Sequence, residues 1–280
     1  MNKKLYKLRS LPVYILATVW AVINLYPILF TVISSFKNND ELFSSATSAL
    51  SLPTSLRFEN YVEAFTKGNL ARCLCNSIFI SGSATFLVLL LASMISFVIA
   101  RLSYKINNIL LIYFTLGVMI PIHTTLVPLL KLVNTLHGQN NYLMIIVLYT
   151  TFNLPMAILL IVGHMKSISR SMDESAILDG CGPLRLYGNI IIPLTLPAIS
   201  TAGIITFLYI YNDLLFGVMF ISNKSMYTIT LGMLTFVGAK VTEYGPIFAS
   251  IIITVLPMVV IYLLFQEKVE SGLAAGAVKE

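Results

Sequence analysis

Long segments with few or no charged side chains dominate the pattern of this chain. No Asp, Glu, Lys or Arg occurs from residue 11 to 36, or from residue 73 to 100. A helix needs about 20 apolar residues to cross the hydrocarbon core of a bilayer. The pattern predicts six transmembrane helices in an all-α integral membrane protein, with spans near residues 11–36, 75–100, 106–130, 141–164, 198–220 and 244–266.

The composition supports this fold class. Of the 280 residues, 57% are hydrophobic and only 11% are charged, and the mean hydropathy is +0.86. A soluble domain carries about 25% charged residues, because water must wet its surface. Soluble enzymes and soluble binding modules are therefore excluded. The net charge of +6 is scattered beside the apolar segments, which indicates membrane topology and no nucleic-acid partner.

The basic residues also predict an orientation. With residues 1–10 in the cytoplasm, eleven of the 18 Lys and Arg side chains fall on the cytoplasmic side and seven on the outside. Lys and Arg resist translocation, so both termini are predicted to be cytoplasmic. The first apolar segment is too long for a signal peptide. This orientation predicts an external loop over 37–72, a cytoplasmic loop over 165–197 and a cytoplasmic tail over 267–280.

The loop over 165–197 has the clearest local signals. Ser171 and Glu174 have the spacing of a capping box, in which each side chain satisfies a free amide at a helix start. Gly180 and Gly182 end that helix within about two turns, and Pro183 suits the first turn of a second helix. That second helix is predicted over 184–192 and is ended by Pro193.

This predicted hairpin has an apolar side that it cannot bury by itself, formed by Ala176, Ile177, Leu186, Tyr187 and Ile190. Two interpretations follow from the pattern alone. The apolar side docks on a partner, or the segment is an ordinary loop folded against the ends of the transmembrane helices.

The same segment resembles the EAA motif of ABC importer permeases. The residues that match are, in chain order, Glu174, Ser175, Ala176, Asp179, Gly180, Ile190 and Pro193. Asp179-Gly180 and the later Pro197 resemble the form found in carbohydrate importers. Ser175, Cys181 and Ile192 depart from the common pattern by small or apolar exchanges.

Other short matches, including Ser35-Phe36-Lys37, Asn60-Tyr61 and Gly276-Ala277-Val278-Lys279, extend the resemblance over nearly the whole chain. The chain resembles the smaller, six-helix permease of a maltose-type pair, and the resemblance implies a type I importer permease fold in a bacterial cytoplasmic membrane. It implies three kinds of protein partner besides the lipid bilayer: a second permease, two ATPase subunits and an external sugar-binding protein. No Walker loop occurs, so ATP and Mg²⁺ are expected on the ATPase subunits, and no cofactor on this chain.

Polar residues inside the predicted spans are candidates for the translocation path. Asp213 is the one acidic residue in a predicted span, and it follows Tyr211 and Asn212. Ionisable groups at membrane depth usually face a cavity or a partner. These three residues either line the path and bind solute hydroxyls, or anchor the fold. His123, between Pro121 and Pro128 in a helix expected to kink, has the same two interpretations.

Two rival functions remain open at this point. An ion-coupled secondary transporter needs coupling groups at mid-membrane, and Asp213 alone qualifies. A membrane-embedded enzyme needs a nucleophile beside a base, and none is recognisable. A permease for a solute other than sugar is a third alternative. The three cysteines have neither zinc-site spacing nor a disulfide framework, so no metal site is predicted.

Overall fold

The structure is a computed structural model that describes residues 3–45, 48, 51–238 and 242–277. Lys240 and residues 278–280 of the predicted tail lie outside the described residues. The described residues form thirteen α-helices: α1 Lys3–Ser34, α2 Asn39–Phe43, α3 Glu59–Thr66, α4 Leu70–Arg101, α5 Asn107–Met119, α6 Ile122–Thr135, α7 Tyr142–Ser167, α8 Arg170–Leu178, α9 Pro183–Arg185, α10 Ile192–Tyr211, α11 Leu215–Phe220, α12 Ile229–Met233 and α13 Tyr244–Ala277.

Four stretches of helix in the described chain are long and apolar enough to cross a membrane. They are Pro12–Ser34, Leu70–Arg101, Tyr142–Ser167 and Pro183–Tyr211. Helices α5 and α6 together make a fifth span if the bent pair crosses as one. The sixth predicted span falls on α13, which has an apolar segment at Tyr244–Val260.

The third predicted span is broken into two helices, which confirms the kink that the sequence predicted in it. Helices α5 and α6 meet at an angle of 95°. Ile120 and Pro121 between them are extended, with ψ of 115° and 127°. A proline disfavours the helical conformation of the residue before it, so the chain breaks at Pro121. Pro128 lies inside α6, so only one of the two prolines breaks the chain.

The fifth predicted span, 198–220, also has different ends. The helix begins at Pro183, continues through a π-helical segment at Leu186–Ile191 into α10, and ends at Tyr211. Pro193 therefore does not end the second helix of the hairpin. Its ring would clash with the carbonyl one turn earlier in a regular α-helix, and the wider π turn lies at that point, where the Ile192 amide bonds Tyr187 O.

The chain divides into two compact units, residues 1–71 with 232–257 and residues 72–231 with 258–280. In the first unit, the Lys37 ammonium is buried and donates to the carbonyl oxygens of Ser48 (2.8 Å) and Ser51. Asn60, on α3, donates to Ser35 O and Lys37 O at 2.8 and 2.9 Å. A Cβ on Gly245 would lie 2.5 Å from Lys37 O, so this close approach requires glycine.

The second unit contains two apolar cores. One core joins α4 and α7 to the π segment and includes Phe97, Ile158, Met165 and Ile191. The other joins the opposite halves of the same two helices to the segment after α10 and includes Tyr149, Phe216 and Phe220. Helices α4 and α7 therefore form the frame on which the loop 165–197 and the break after Tyr211 are both placed.

Candidate functional site: the helix α8 segment and the break after Tyr211

Helix α8 begins two residues earlier than the capping box predicts. Its N-cap is Ser169, whose side chain accepts a hydrogen bond from the Ser171 amide at 3.3 Å. Ser171 therefore lies inside the first turn, where it cannot cap, and Glu174 is too far along the helix to reach back. Glu174 is instead exposed. The prediction that Glu174 caps the helix was wrong, because the same serine and carboxylate spacing also occurs within a helix.

The C-terminus of α8 is a Schellman motif centred on Gly180. Gly180 has φ of +79°. Its amide donates to Ile177 O at 3.0 Å, and the Cys181 amide donates to Ala176 O at 2.9 Å. Only glycine adopts this left-handed conformation without a steric cost. A Cβ at Gly180 would meet nothing within 4 Å, so the space beside it is not filled by the described residues.

Most of the predicted apolar side of the hairpin faces this chain. Ala176 and Leu186 are buried in the core of the second unit, and Tyr187 and Ile190 pack against it. The Tyr187 hydroxyl lies 2.8 Å from Ser93 Oγ on α4. Of the predicted set, Ile177 alone is exposed, at 60%. Of the two interpretations of this apolar side, packing against the chain's own helices therefore applies to four of the five side chains.

A different apolar surface is exposed, and sequence reasoning missed it. The Leu178 side chain is 88% exposed and that of Leu184 is 84% exposed. With Ile177, they flank the turn at Gly180. We call Glu174, Ile177, Leu178, Gly180 and Leu184 the α8 docking face. The sequence holds one usable signal: leucines next to a glycine turn outside the apolar segments have no bilayer to cover them.

The remaining motif residues have modest contacts. Ser175 Oγ donates to Ser171 O at 2.9 Å, and its side chain is exposed. Asp179 is the exposed C-cap of α8. Pro193 is exposed in the first turn of α10. Close by, His164 Nε2 lies 3.2 Å from Leu194 O, which ties the end of α7 to α10.

The break after Tyr211 is organised by Asp213. One carboxylate oxygen, Oδ2, accepts from the Tyr149 hydroxyl at 2.8 Å and from the Phe216 amide at 2.9 Å. The Asp213 carbonyl accepts from the Thr230 hydroxyl, also at 2.8 Å. These bonds join α7, the start of α11 and the first turn of α12. The geometry supports the interpretation of Asp213 as an anchor of the fold.

The other predicted path residues are placed differently. Asn212 is exposed, and its amide donates to Leu208 O at 2.8 Å, within its own helix. The Tyr211 ring is buried and stacks on Phe207 with centroids 5.7 Å apart. His123 is exposed in the first turn of α6, and its ring makes no hydrogen bond to the described residues. Asn212 thus retains free acceptor capacity, whereas Tyr211 is committed to packing.

No group of three His, Cys, Asp or Glu side chains within the described residues could hold a metal ion. Cys73, Cys75 and Cys181 form no disulfide among the described residues. The arrangement offers a docking face, a fixed helix break and an exposed amide.

The long apolar helices define a multi-pass membrane protein. Residues 90–274 match the family described as "Binding-protein-dependent transport system inner membrane component". The chain belongs to this family and is a transmembrane subunit of a binding-protein-dependent transport system.

Relatives and solved structures agree with this assignment. The chain is 31% identical to the multiple sugar-binding transport system permease protein MsmG of Streptococcus mutans, over 99% of this chain and 100% of the relative. It is 30% identical to the diacetylchitobiose uptake system permease protein NgcG of Streptomyces coelicolor, over 93% and 86%. A chain of a bacterial ABC transporter that imports alginate superposes with a TM-score of 0.80 at 16% identity, over 95% and 98%, and confirms the importer permease fold.

Proposed function

We propose that this chain is one of two permease subunits in an ATP-driven importer of a sugar or oligosaccharide. The printed names of its relatives MsmG and NgcG are those of sugar and diacetylchitobiose uptake proteins, and both align over nearly the whole chain. The observation that carries the proposal is the α8 docking face, where exposed leucines flank a glycine with open space beside it. Such a surface on a short helix beside the membrane suits a protein partner.

The proposed occupant of the α8 docking face is an ATPase subunit. Leu178 and Leu184 would enter an apolar cleft, and the Glu174 carboxylate at its edge would meet a basic or amide group. ATP and Mg²⁺ would bind the two ATPase subunits, and this chain would contribute no ATPase site. The apolar side chains of α1 from Val13 to Leu29 are exposed in this chain, which suits lipid or the second permease. Alternating access then follows from movement of α8.

The direct test is to purify the chain with the products of its neighbouring genes and reconstitute the complex in vesicles. ATP-dependent uptake is measured for labelled diacetylchitobiose, trehalose and raffinose, and the glycan retained by the co-purified binding protein is identified by mass spectrometry. We expect accumulation of a sugar that requires both ATP and the binding protein. Uptake driven by an ion gradient without any ATPase would contradict the proposal and support the ion-coupled rival.

The proposed orientation places α8 and both termini in the cytoplasm. In a chain whose three native cysteines are replaced, a cysteine at Ser45 should react with a membrane-impermeant maleimide from outside intact cells. A cysteine at Lys166 should react only after the membrane is opened. Both positions are exposed, so poor reactivity cannot be ascribed to burial within this chain. Labelling of the Lys166 position from outside would place the α8 docking face on the wrong side for an ATPase.

Asn212 and Asp213 should have separable effects. Asn212→Ala removes an exposed amide that bonds only its own helix, so assembly should be normal while sugar uptake or selectivity changes. Asp213→Ala leaves the buried Tyr149 hydroxyl and the Phe216 amide unpaired, at a cost of about 1–3 kcal/mol for each buried group. The amount of assembled complex should therefore fall, as measured by size-exclusion chromatography in detergent.

Tyr149→Phe is the matched control for Asp213→Ala. It removes one of the two donors to Oδ2 and keeps the ring that packs on Phe216 with centroids 5.3 Å apart. Its effect on assembly should be the smaller of the two. Normal abundance of Asp213→Ala together with altered sugar selectivity would assign Asp213 to the translocation path and contradict its role as an anchor.

A further inference from the structure

A buried ion pair joins α8 to the end of α4. Arg101 is the last residue of α4, and its Nη1 lies 3.3 Å from Oδ2 of Asp173 in α8. The same nitrogen donates to Ile168 O at 3.1 Å, in the connection just before α8. The two side chains are 1% and 11% exposed. One guanidinium thus holds both α8 and the chain that enters it.

Stability alone does not account for this pair. Nε and Nη2 of Arg101 and Oδ1 of Asp173 are buried and have no hydrogen-bond partner among the described residues. A buried ion pair must recover the cost of leaving water through good geometry and additional hydrogen bonds, and apolar side chains of similar size often stabilise a fold as well or better. An incompletely bonded pair therefore fixes the position of α8 relative to α4 more than it stabilises the fold.

Asp173 and the α8 docking face lie on opposite sides of the same short helix. Asp173 and Ala176, three residues apart, face inward and are buried, whereas Glu174 and Leu178, four residues apart, face outward. The inward contact of Ala176 is apolar, so by itself it does not prevent α8 from sliding along the core formed by α4 and α7. The ion pair resists separation, because moving two opposite charges apart in a buried environment is costly.

We propose that the Arg101–Asp173 pair is the joint that transmits movement of α8 to α4, with both residues acting as positioning residues for coupling. This rests on the proposed docking of an ATPase on α8. When the ATPase subunits displace the α8 docking face, the ion pair makes the end of α4 follow. Helix α4 lines both apolar cores of its unit, so its displacement reaches the packing around the break after Tyr211.

The test compares the wild-type complex with the double variant Arg101→Leu/Asp173→Leu, each reconstituted with its ATPase subunits and binding protein. The double variant removes both charges together, so we expect it to assemble and to retain the ATPase. Sugar taken up per ATP hydrolysed should fall roughly tenfold, within the about 5–150-fold range of typical coupling between sites. Stimulation of ATP hydrolysis by the binding protein should also be lost.

A purely structural role predicts the opposite, namely that the double variant regains wild-type coupling once no charge is left unpaired. That result would overturn the proposal. The control Lys105→Gln removes an exposed charge just beyond α4 and should couple normally. Arg101→Leu alone leaves Asp173 buried without its cation and should assemble poorly.

If the double leucine variant does not assemble, the charge-exchanged variant Arg101→Asp/Asp173→Arg is measured instead. Assembly with restored coupling supports the joint, and assembly without coupling overturns it. Failure of both double variants to assemble assigns the pair to stability and also overturns the proposal. A wild-type complex that retains no ATPase would instead refute the proposed function itself, which makes the two failures distinguishable.

Discussion

Gly180→Glu is expected to abolish sugar uptake while the subunit remains in the membrane at normal abundance. The substitution places a side chain at φ of +79°, which costs about 1–2 kcal/mol for a residue other than glycine. A Cβ at this position meets nothing within 4 Å and Gly180 is exposed, so the fold should survive. Its bulk and charge instead occupy the open space beside Leu178 and Leu184, where the ATPase is proposed to dock. The measurement is ATPase pull-down together with uptake in vesicles.

Two further variants separate backbone strain from bulk at Gly180. Gly180→Asn keeps a residue that tolerates the left-handed conformation better than most, and Gly180→Ala adds strain with little bulk. Both should retain more ATPase than Gly180→Glu. Full retention and wild-type uptake in Gly180→Glu would show that the α8 docking face is not the coupling element. Equal losses in Gly180→Ala and Gly180→Glu would assign the effect to the helix terminus alone.

The fold class could be predicted from sequence because the length of an apolar helix is set by the thickness of the bilayer. The size of the bend between α5 and α6 could not. Pro121 indicates a break in the helix, but the angle of 95° between α5 and α6 depends on the packing of both helices. Pro128 is an equally strong signal in sequence and breaks nothing. The start of the fifth span was missed for a related reason, since the π segment lets the helix pass through Pro193.

The position of the candidate site in the chain could be predicted, but the side of α8 that is exposed could not. Gly180 as a helix stop follows from local backbone chemistry, which sequence contains. Which side of α8 is covered depends on α4 and α7, which sequence spacing does not place. The apolar pattern therefore left open whether Leu186 and Tyr187 meet a partner or this chain, and it did not include Leu178. Because Ser169 caps the helix, Glu174→Ala should cost one exposed charge and no cap, so its effect should be mild.

Leu178→Asp is expected to remove the ATPase from the purified complex. The Leu178 side chain is 88% exposed and makes no contribution to either apolar core, so its replacement should leave this chain folded and inserted. A leucine that fills a cleft in a partner contributes at least about 2 kcal/mol when it is a hot spot, and a carboxylate there must also lose its hydration. Retention of the ATPase should fall at least roughly 30-fold, measured by titration of the reconstituted permease pair.

Leu52→Asp is the matched control for this last prediction. Leu52 is 76% exposed, undergoes the same exchange and lies in the loop predicted to be external. If replacement of any exposed leucine by aspartate destabilised the subunit, both variants would lose the ATPase. If Leu178 anchors the ATPase, only Leu178→Asp loses it, and Leu184→Asp resembles Leu178→Asp because the two leucines flank the same turn. Normal ATPase retention in both Leu178→Asp and Leu184→Asp would contradict the α8 docking face, even if Gly180→Glu were inactive.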